Sequence, residues 1–262
     1  MAAAEAGVAV ATAVVAAGAV VVSAAAAVDP AAAAAHRGDG DMRLSDTDHD
    51  RVTAAVTKAE TATTGEIVTI VARQSDAYHD VSMHWGVLAM LLTLALLAYH
   101  PVAADHIYAR VDPWQAAPQG ALYVVALVLV TLVFLAVRLV MAWTPARLAL
   151  TPGATKARRV RRRALLLFRA GAEKRTKGST GVLLYLSLAE HRAEIIADDA
   201  IHSRVPNETW GAAMAAVLAG VRDDRPADGM ADAVAQIGAV LAEHFPRTGA
   251  PVNELPDRLI EL

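Results

Sequence analysis

The chain has 262 residues, 55% of them hydrophobic and 19% charged, with a formal charge of −3 and no cysteine. A mean hydropathy of +0.37 is above that of an ordinary water-soluble domain, so part of the chain must face lipid. The near-neutral charge makes no electrostatic case for a nucleic-acid or acidic partner, and the lack of cysteine excludes disulfides, thiolate metal sites and thiol nucleophiles.

Residues 1–41 form an Ala-rich leader whose stretch Ala6–Val28 carries no charge. Alanine is near neutral for bilayer insertion, so three readings stay open: a cleaved signal with small residues at Ser23–Ala27, a weak anchor, or a disordered extension. A start of synthesis at Met42 is a fourth. The domain proper is expected to begin there and to run in two parts, 42–82 and 144–262, around a transmembrane hairpin at 83–143.

Ser45 caps a short amphipathic helix with Asp48 three residues on, and Thr64-Gly65 stops it. The β-branched run Ile67–Ala72 is continuous and too short for a helix, which predicts a strand buried on both faces. Two apolar spans follow, Met83–Ala104 and Ala121–Trp143, each long enough to cross a bilayer. The second contains Arg138, five residues from Trp143 or about 8 Å along a helix, within snorkelling reach of the interface. The connection Pro101–Gly120 holds one permanent cation, Arg110, whereas Ala146–Arg163 holds seven and no carboxylate. The positive-inside bias therefore puts the connection outside and both domain parts in the cytosol.

A helix is expected from Thr151-Pro152 through Gly171, arginine-rich at its start. Val182–Leu188 and Ala193–Ala197 then form an antiparallel hairpin around Ala189–Arg192. Asn207 caps a helix carrying Trp210, Met214, Val217 and Val221, a break at Asp228-Gly229 leads to another, and Pro246–Leu262 is a tail with a last turn around Leu259. The fold class is α/β: a small mixed sheet with helices on both faces, interrupted by the two-helix hairpin, its first strand paired parallel with the Val182 strand.

Thr64-Gly65-Glu66-Ile67-Val68-Thr69-Ile70-Val71, then Thr180–Arg192, Glu194–Asp198 and the closing Asn253-Glu254-Leu255-Pro256 resemble the TPM-domain membrane proteins of bacteria. The resemblance covers about Leu44–Leu262 and leaves the leader outside. It implies an α/β/α sandwich tethered at the bacterial inner membrane and concerned with assembly or upkeep of membrane complexes. It also brings phosphatase activity and calcium binding as properties of some relatives. Many relatives carry the domain on the exported side, whereas the arginine run here argues for the cytosol.

Asp198-Asp199, at a strand-to-helix junction, offer hard oxygens for calcium or magnesium, and Glu66 and Asp228 could complete the set. Helix capping is the alternative. The histidines form no zincin pair, and Gly178-Ser179-Thr180-Gly181 lacks the ending of a phosphate loop. Arg158, Arg159, Arg161, Arg162 and Arg163 serve as topogenic charge or as a clamp on anionic lipid, each worth about 1 kcal/mol near the surface. No aromatic residue interleaves them, so nucleic-acid binding is not expected. Two functions follow: a membrane protein that binds a protein partner through its cytosolic domain, or a divalent-metal-dependent phosphatase-like hydrolase.

Overall fold

The computed structural model describes residues 12–16, 19–25, 44–100, 102–171, 180–247 and 257–262. Most of the leader, Gly178-Ser179 and Asn253–Pro256 lie outside the described residues. The chain forms two compact units, one through Asp76 and again from Gly153, the other Ala77–Pro152. The insertion is thus wider than 83–143, because His79–Ser82 already belong to its first helix and Thr144–Ala149 form a short helix of their own.

The first unit is built on a six-stranded mixed sheet: β1 (Thr12–Ala16), β2 (Ala19–Ala25), β3 (Glu66–Ala72), β4 (Gly181–Ser187), β5 (Arg192–Asp198) and β6 (Ile260–Glu261), in the order β1-β2-β5-β4-β3-β6. β3 and β4 are parallel, from Glu66↔Gly181 to Ala72↔Ser187, which the long connection between them permits. β4 and β5 form the expected antiparallel hairpin.

Three elements correct the sequence reading. The leader is not wholly outside the globule: β1 and β2 pair with each other, and β2 runs antiparallel along β5 from Ala19↔Asp198 to Ala25↔Arg192. A strand covered on both faces reads as an unbroken apolar run, the same signature as a weak membrane segment; Val21 and Val22 are both buried, one in each core. The tail supplies β6 instead of a helical turn, Ile70 pairing with Ile260 and Val71 with Glu261. Finally, Asp228-Gly229 does not break a helix.

On one face of the sheet lie α1 (Asp46–Glu60), α8 (Gly211–Arg222) and α9 (Pro226–His244). Their residues Val52, Val56, Met214, Val217, Met230, Val234 and Ile237 close over Ile67, Leu184, Leu186 and Ile195. α1 starts as expected, with the Asp48 amide donating to Ser45 Oγ at 3.2 Å and the Ser45 amide to Asp48 Oδ2 at 3.1 Å, a reciprocal cap. The other face is covered by α6 (Gly153–Gly171), whose Val160, Ala164 and Phe168 recur at four-residue spacing and pack on Val68, Ile70, Leu183 and Ile196. A four-residue α7 (Asp199–His202) follows β5, and a 3₁₀ turn at Asn207–Trp210 leads into α8.

Within the second unit, α2 (His79–Tyr99) and α4 (Gln119–Val140) flank the shorter α3 (Val102–Tyr108), and α5 (Thr144–Ala149) ends it. The first span stops at Tyr99 and not at Ala104, because proline at 101 disfavours helical backbone at His100, where φ is −122° and ψ 73°. At 1.5 Å per residue α2 and α4 are about 31–33 Å long, enough for the hydrocarbon core. Gly86 lets them approach: a Cβ there would lie 2.8 Å from the Phe134 ring.

Gly229 explains why α9 runs on through it. A Cβ on Gly220 of α8 would stand 2.5 Å from the Gly229 Cα, so the two glycines let the helix backbones touch. The turn between them falls earlier, at Asp224, with φ 57°. Gly220→Ala is expected to destabilise the protein by about 1–3 kcal/mol through overpacking. Gly211→Ala, whose Cβ would meet nothing within 4 Å, should be neutral or slightly stabilising; urea unfolding of both variants checks this.

Candidate functional site

The registers Glu66↔Gly181 and Val182↔Ala197 put Glu66, Gly181 and Asp198 in one row, where β3 and β4 begin and β5 ends. Glu66 and Asp198 flank β4 on the α6 face, with Cα atoms roughly 10 Å apart for strands two spacings away. Asp198 is buried, and its Oδ2 accepts the Gly181 amide at 2.9 Å. Asp199 opens α7 exposed to solvent.

Asp228 is elsewhere. It accepts from Arg51 and, at 3.3 Å, from Arg225 in the first turn of α9. Leu241, thirteen residues along that helix and about 20 Å by its rise, is the side chain that touches Gly65 beside Glu66. The sequence-predicted quartet Glu66, Asp198, Asp199 and Asp228 is therefore not brought together. Among the described residues no group of three or more His, Asp or Glu side chains is placed to hold a metal ion. The donors do not fit a calcium ion's demand for six or more oxygens, nor do they present a magnesium site.

Sequence reasoning missed a carboxylate at the same end of the sheet. Glu60, buried where α1 closes, accepts the Ile67 amide at 2.7 Å. Burial pushes its pKa up to about 8; the Ile67 bond opposes this, the negative charges of Glu66 and Asp257 add to it, and Arg247 opposes it.

At the opposite end, the C-terminal edge of the parallel pair where α/β sheets usually hold ligands, the polar groups satisfy one another. Tyr185 Oη lies 2.9 Å from Ser75 Oγ, which donates to Ser187 Oγ at 2.8 Å; Ser187 donates to Glu190. Glu190 also accepts the Ser75 amide at 2.9 Å. Burial raises the Tyr185 pKa, which keeps the phenol a donor. Tyr185 and Ser187 are fully buried, and Ser75, which bonds both, is half-buried. The chain joins the segment after β3 to the turn after β4.

Glu194 is the least compensated carboxyl. It sits mid-strand on β5, 0% exposed, in a row with Tyr185 and Ser23. Ser23 Oγ donates to its Oε1, and Oε2 has no partner. Burial pushes its pKa up to about 7 against the Ser23 bond and the positive charges of Arg161 and Arg192. A charged residue in the apolar run Ala193–Ala197 was the available signal.

The five arginines of the run Arg158–Arg163 on α6 divide. Arg159 binds Asp76 at 3.0 Å, and Arg161 is turned toward Glu194. Arg158, Arg162 and Arg163 are exposed.

The base of the hairpin carries a second cationic group. Arg138 donates to Ser82 Oγ at 2.8 Å, and Ser82 Oγ donates to the His79 carbonyl at 2.8 Å. This is a specific partner in the first turn of α2, where the sequence reading favours snorkelling over a buried functional charge. Arg147 is 9% exposed; its Nη1 lies 3.3 Å from His79 Nδ1 and its Nη2 donates to Thr144 Oγ1 at 3.2 Å. A guanidinium only donates, so His79 Nδ1 accepts and the ring proton sits on Nε2.

Residues 149–240 match the family model of the TPM domain, a stretch from the end of α5 through most of α9. Among solved structures, the NMR structure of the BA42 protein from the psychrophilic bacterium Bizionia argentinensis aligns with 84% of this chain and 97% of its own. Its identity is 15% and the TM-score 0.49. No curated protein matches the chain.

The buried carboxyls make stability depend on pH. With folded pKa values of about 7 for Glu194 and about 8 for Glu60, the folded chain keeps protons that the unfolded chain releases above the ordinary carboxylate range. The stabilisation is complete below that range and is lost as pH rises through the folded values. Unfolding free energy should therefore fall between about pH 5 and pH 8. Glu194→Gln, which preserves the Ser23 bond, should remove on the order of 2–3 kcal/mol of that slope, read from denaturant unfolding at both ends of the range.

Proposed function

We propose, from the premise that this chain carries a TPM domain at residues 149–240, that it is a multi-pass protein of the bacterial inner membrane. In this reading its cytosolic domain binds a protein partner at the bilayer and assists assembly or maintenance of a membrane complex. The observation that carries the membrane part is the exposure of apolar side chains on α2 and α4: Leu92 is 69% and Leu139 77% exposed, and Val130 is the one buried side chain of α4. Helices that long and that apolar are stable in water only when covered, and lipid is the cover that asks nothing of side-chain shape.

Orientation rests on the contrast between Arg110 alone in the connection and seven cations in Ala146–Arg163. The pairing of β3 with β4 supports a common side for the segments before and after the hairpin. Arg158, Arg162 and Arg163 face solvent on α6 and are the members of the arginine run available to anionic headgroups. Binding is favoured over hydrolysis because Asp198 and Asp228 are held by protein donors.

Reporter fusions are expected to place a tag after Val111 outside, and tags after Asp76 and Leu262 both inside; opposite compartments for the last two would refute the topology. Photo-crosslinking of the full chain in membranes should capture a reproducible protein partner. Turnover of a generic phosphoester that requires calcium or magnesium and disappears in Asp198→Asn would instead establish the hydrolase.

A further inference from the structure

We infer that the base of the hairpin is a binding site for a phosphate-bearing anion, with Arg147 as its principal ligand and the headgroup phosphate of an anionic lipid as its occupant. The inference rests on the membrane reading above for the source of the anion, though not for the site itself. Arg147 is more than nine-tenths buried, yet its two contacts, His79 Nδ1 and Thr144 Oγ1, are both neutral. Its Nε is buried with no hydrogen-bond partner. No carboxylate lies within ion-pair distance of either Arg147 or Arg138 among the described residues. A guanidinium removed from water without a counter-charge costs several kcal/mol, and cations so placed are found paired.

Several donors meet at this point. Arg147 and Arg138 both reach the first turn of α2, through His79 and Ser82 respectively. That turn has no side-chain cap: Tyr78, in left-handed backbone at φ 51°, makes no capping bond. Two guanidinium groups therefore contact the first turn of a 21-residue helix, where helix dipole and cations favour the same sign of ligand. The acidic residue of this turn, Asp80, is exposed. Thr151 Oγ1 donates to the Arg147 carbonyl at 2.7 Å and holds the backbone that carries the guanidinium. Trp85 Nε1 donates to the Leu150 carbonyl at 3.2 Å, an indole placed as such rings are at the headgroup level. The guanidinium fork suits two oxygens of one phosphate.

The test uses the full chain, purified in non-ionic detergent and stripped of lipid, with bound lipid counted by native mass spectrometry. Three probes are titrated: phosphatidylglycerol, phosphatidylcholine and inorganic phosphate. Phosphatidylglycerol should give a saturable adduct preferred over phosphatidylcholine. Arg147→Gln should weaken it by about tenfold or more, the loss of one charge-assisted contact, and Arg138→Gln by less. Exchanging Arg222, exposed at the end of α8, for Gln should leave this adduct unchanged. Circular dichroism identifies any variant that fails to fold; Arg147→Lys, which keeps the charge but not the fork, should then show intermediate affinity.

Displacement of the lipid by inorganic phosphate, dependent on Arg147, would support the anion site while giving it a soluble occupant. Equal binding of all probes by wild type and by a folded Arg147 or Arg138 variant would overturn it. A chain that fractionates as soluble would refute the membrane reading alone, because the inorganic phosphate arm runs without lipid.

Discussion

The parallel pairing of β3 with β4 is the constraint on which the rest of the molecule depends. Ala72 ends one strand and Gly181 begins the other, with the whole hairpin between them, yet seven residue pairs align without a slip. Closing so long a loop costs entropy, and the cost grows only slowly with length once the ends are held. The hairpin holds them. His79 near its start contacts Arg147 near its end, and Trp85 reaches Leu150, so the departing and returning chain are neighbours. The hydroxyl chain does the same within the sheet, fastening Ser75, just after β3, to Ser187 and Glu190 at the end of β4. Asp76 is then held by Arg159 on the helix that resumes the domain. An insertion whose ends are fastened at both levels leaves the sheet the register it would have had without the detour.

Most of this architecture is legible in local pattern. The capping box at Ser45, the β-branched run at Ile67, the two apolar spans and the hairpin around Ala189–Arg192 each follow from spacing and residue type, and each is observed. The illegible parts have one cause: their environment comes from residues far away in sequence. β2 is a strand because β5, well over a hundred residues later, offers it an edge; alone, an Ala/Val run is equally a weak membrane segment. β6 is two residues long and exists only as a partner of Ile70 and Val71. Gly229 reads as a helix breaker until Gly220 is set against it. In the candidate site the same limit applies. Asp198 and Asp199 are adjacent in sequence, but one is buried against an amide and the other faces water. Asp228, on the same footing in sequence, lies at the far end of α9 with Arg51 and Arg225.

The buried ionisable groups sort by how they escape the cost of burial. For Glu60 and Glu194 burial shifts the balance toward the protonated form, and each has a short-range donor. Asp198 takes an amide and Glu190 takes an amide and a hydroxyl, the hydrogen-bonded solution for an acceptor. A guanidinium has neither route: it does not lose its proton in a protein, and neutral acceptors satisfy its hydrogen atoms without balancing its charge. Among these groups Arg147 alone needs something that is not part of the sheet domain or the hairpin, and an anion answers that need.

The arginine run shows how one sequence feature serves several purposes at once. A stripe of Val160, Ala164 and Phe168 fixes which side of α6 meets the sheet. With that side fixed, the helical period leaves Arg158 and Arg162 outward and brings Arg159 and Arg161 to the flanks, where they meet Asp76 and Glu194. In the proposed topology, charge that orients the hairpin needs only to be near its end, and all five residues follow it closely. Charge that holds the fold must have a partner at short range, as Arg159 has in Asp76. Replacing Arg158 and Arg162 would therefore leave the sheet intact, whereas replacing Arg159 would loosen the place where the hairpin leaves the domain.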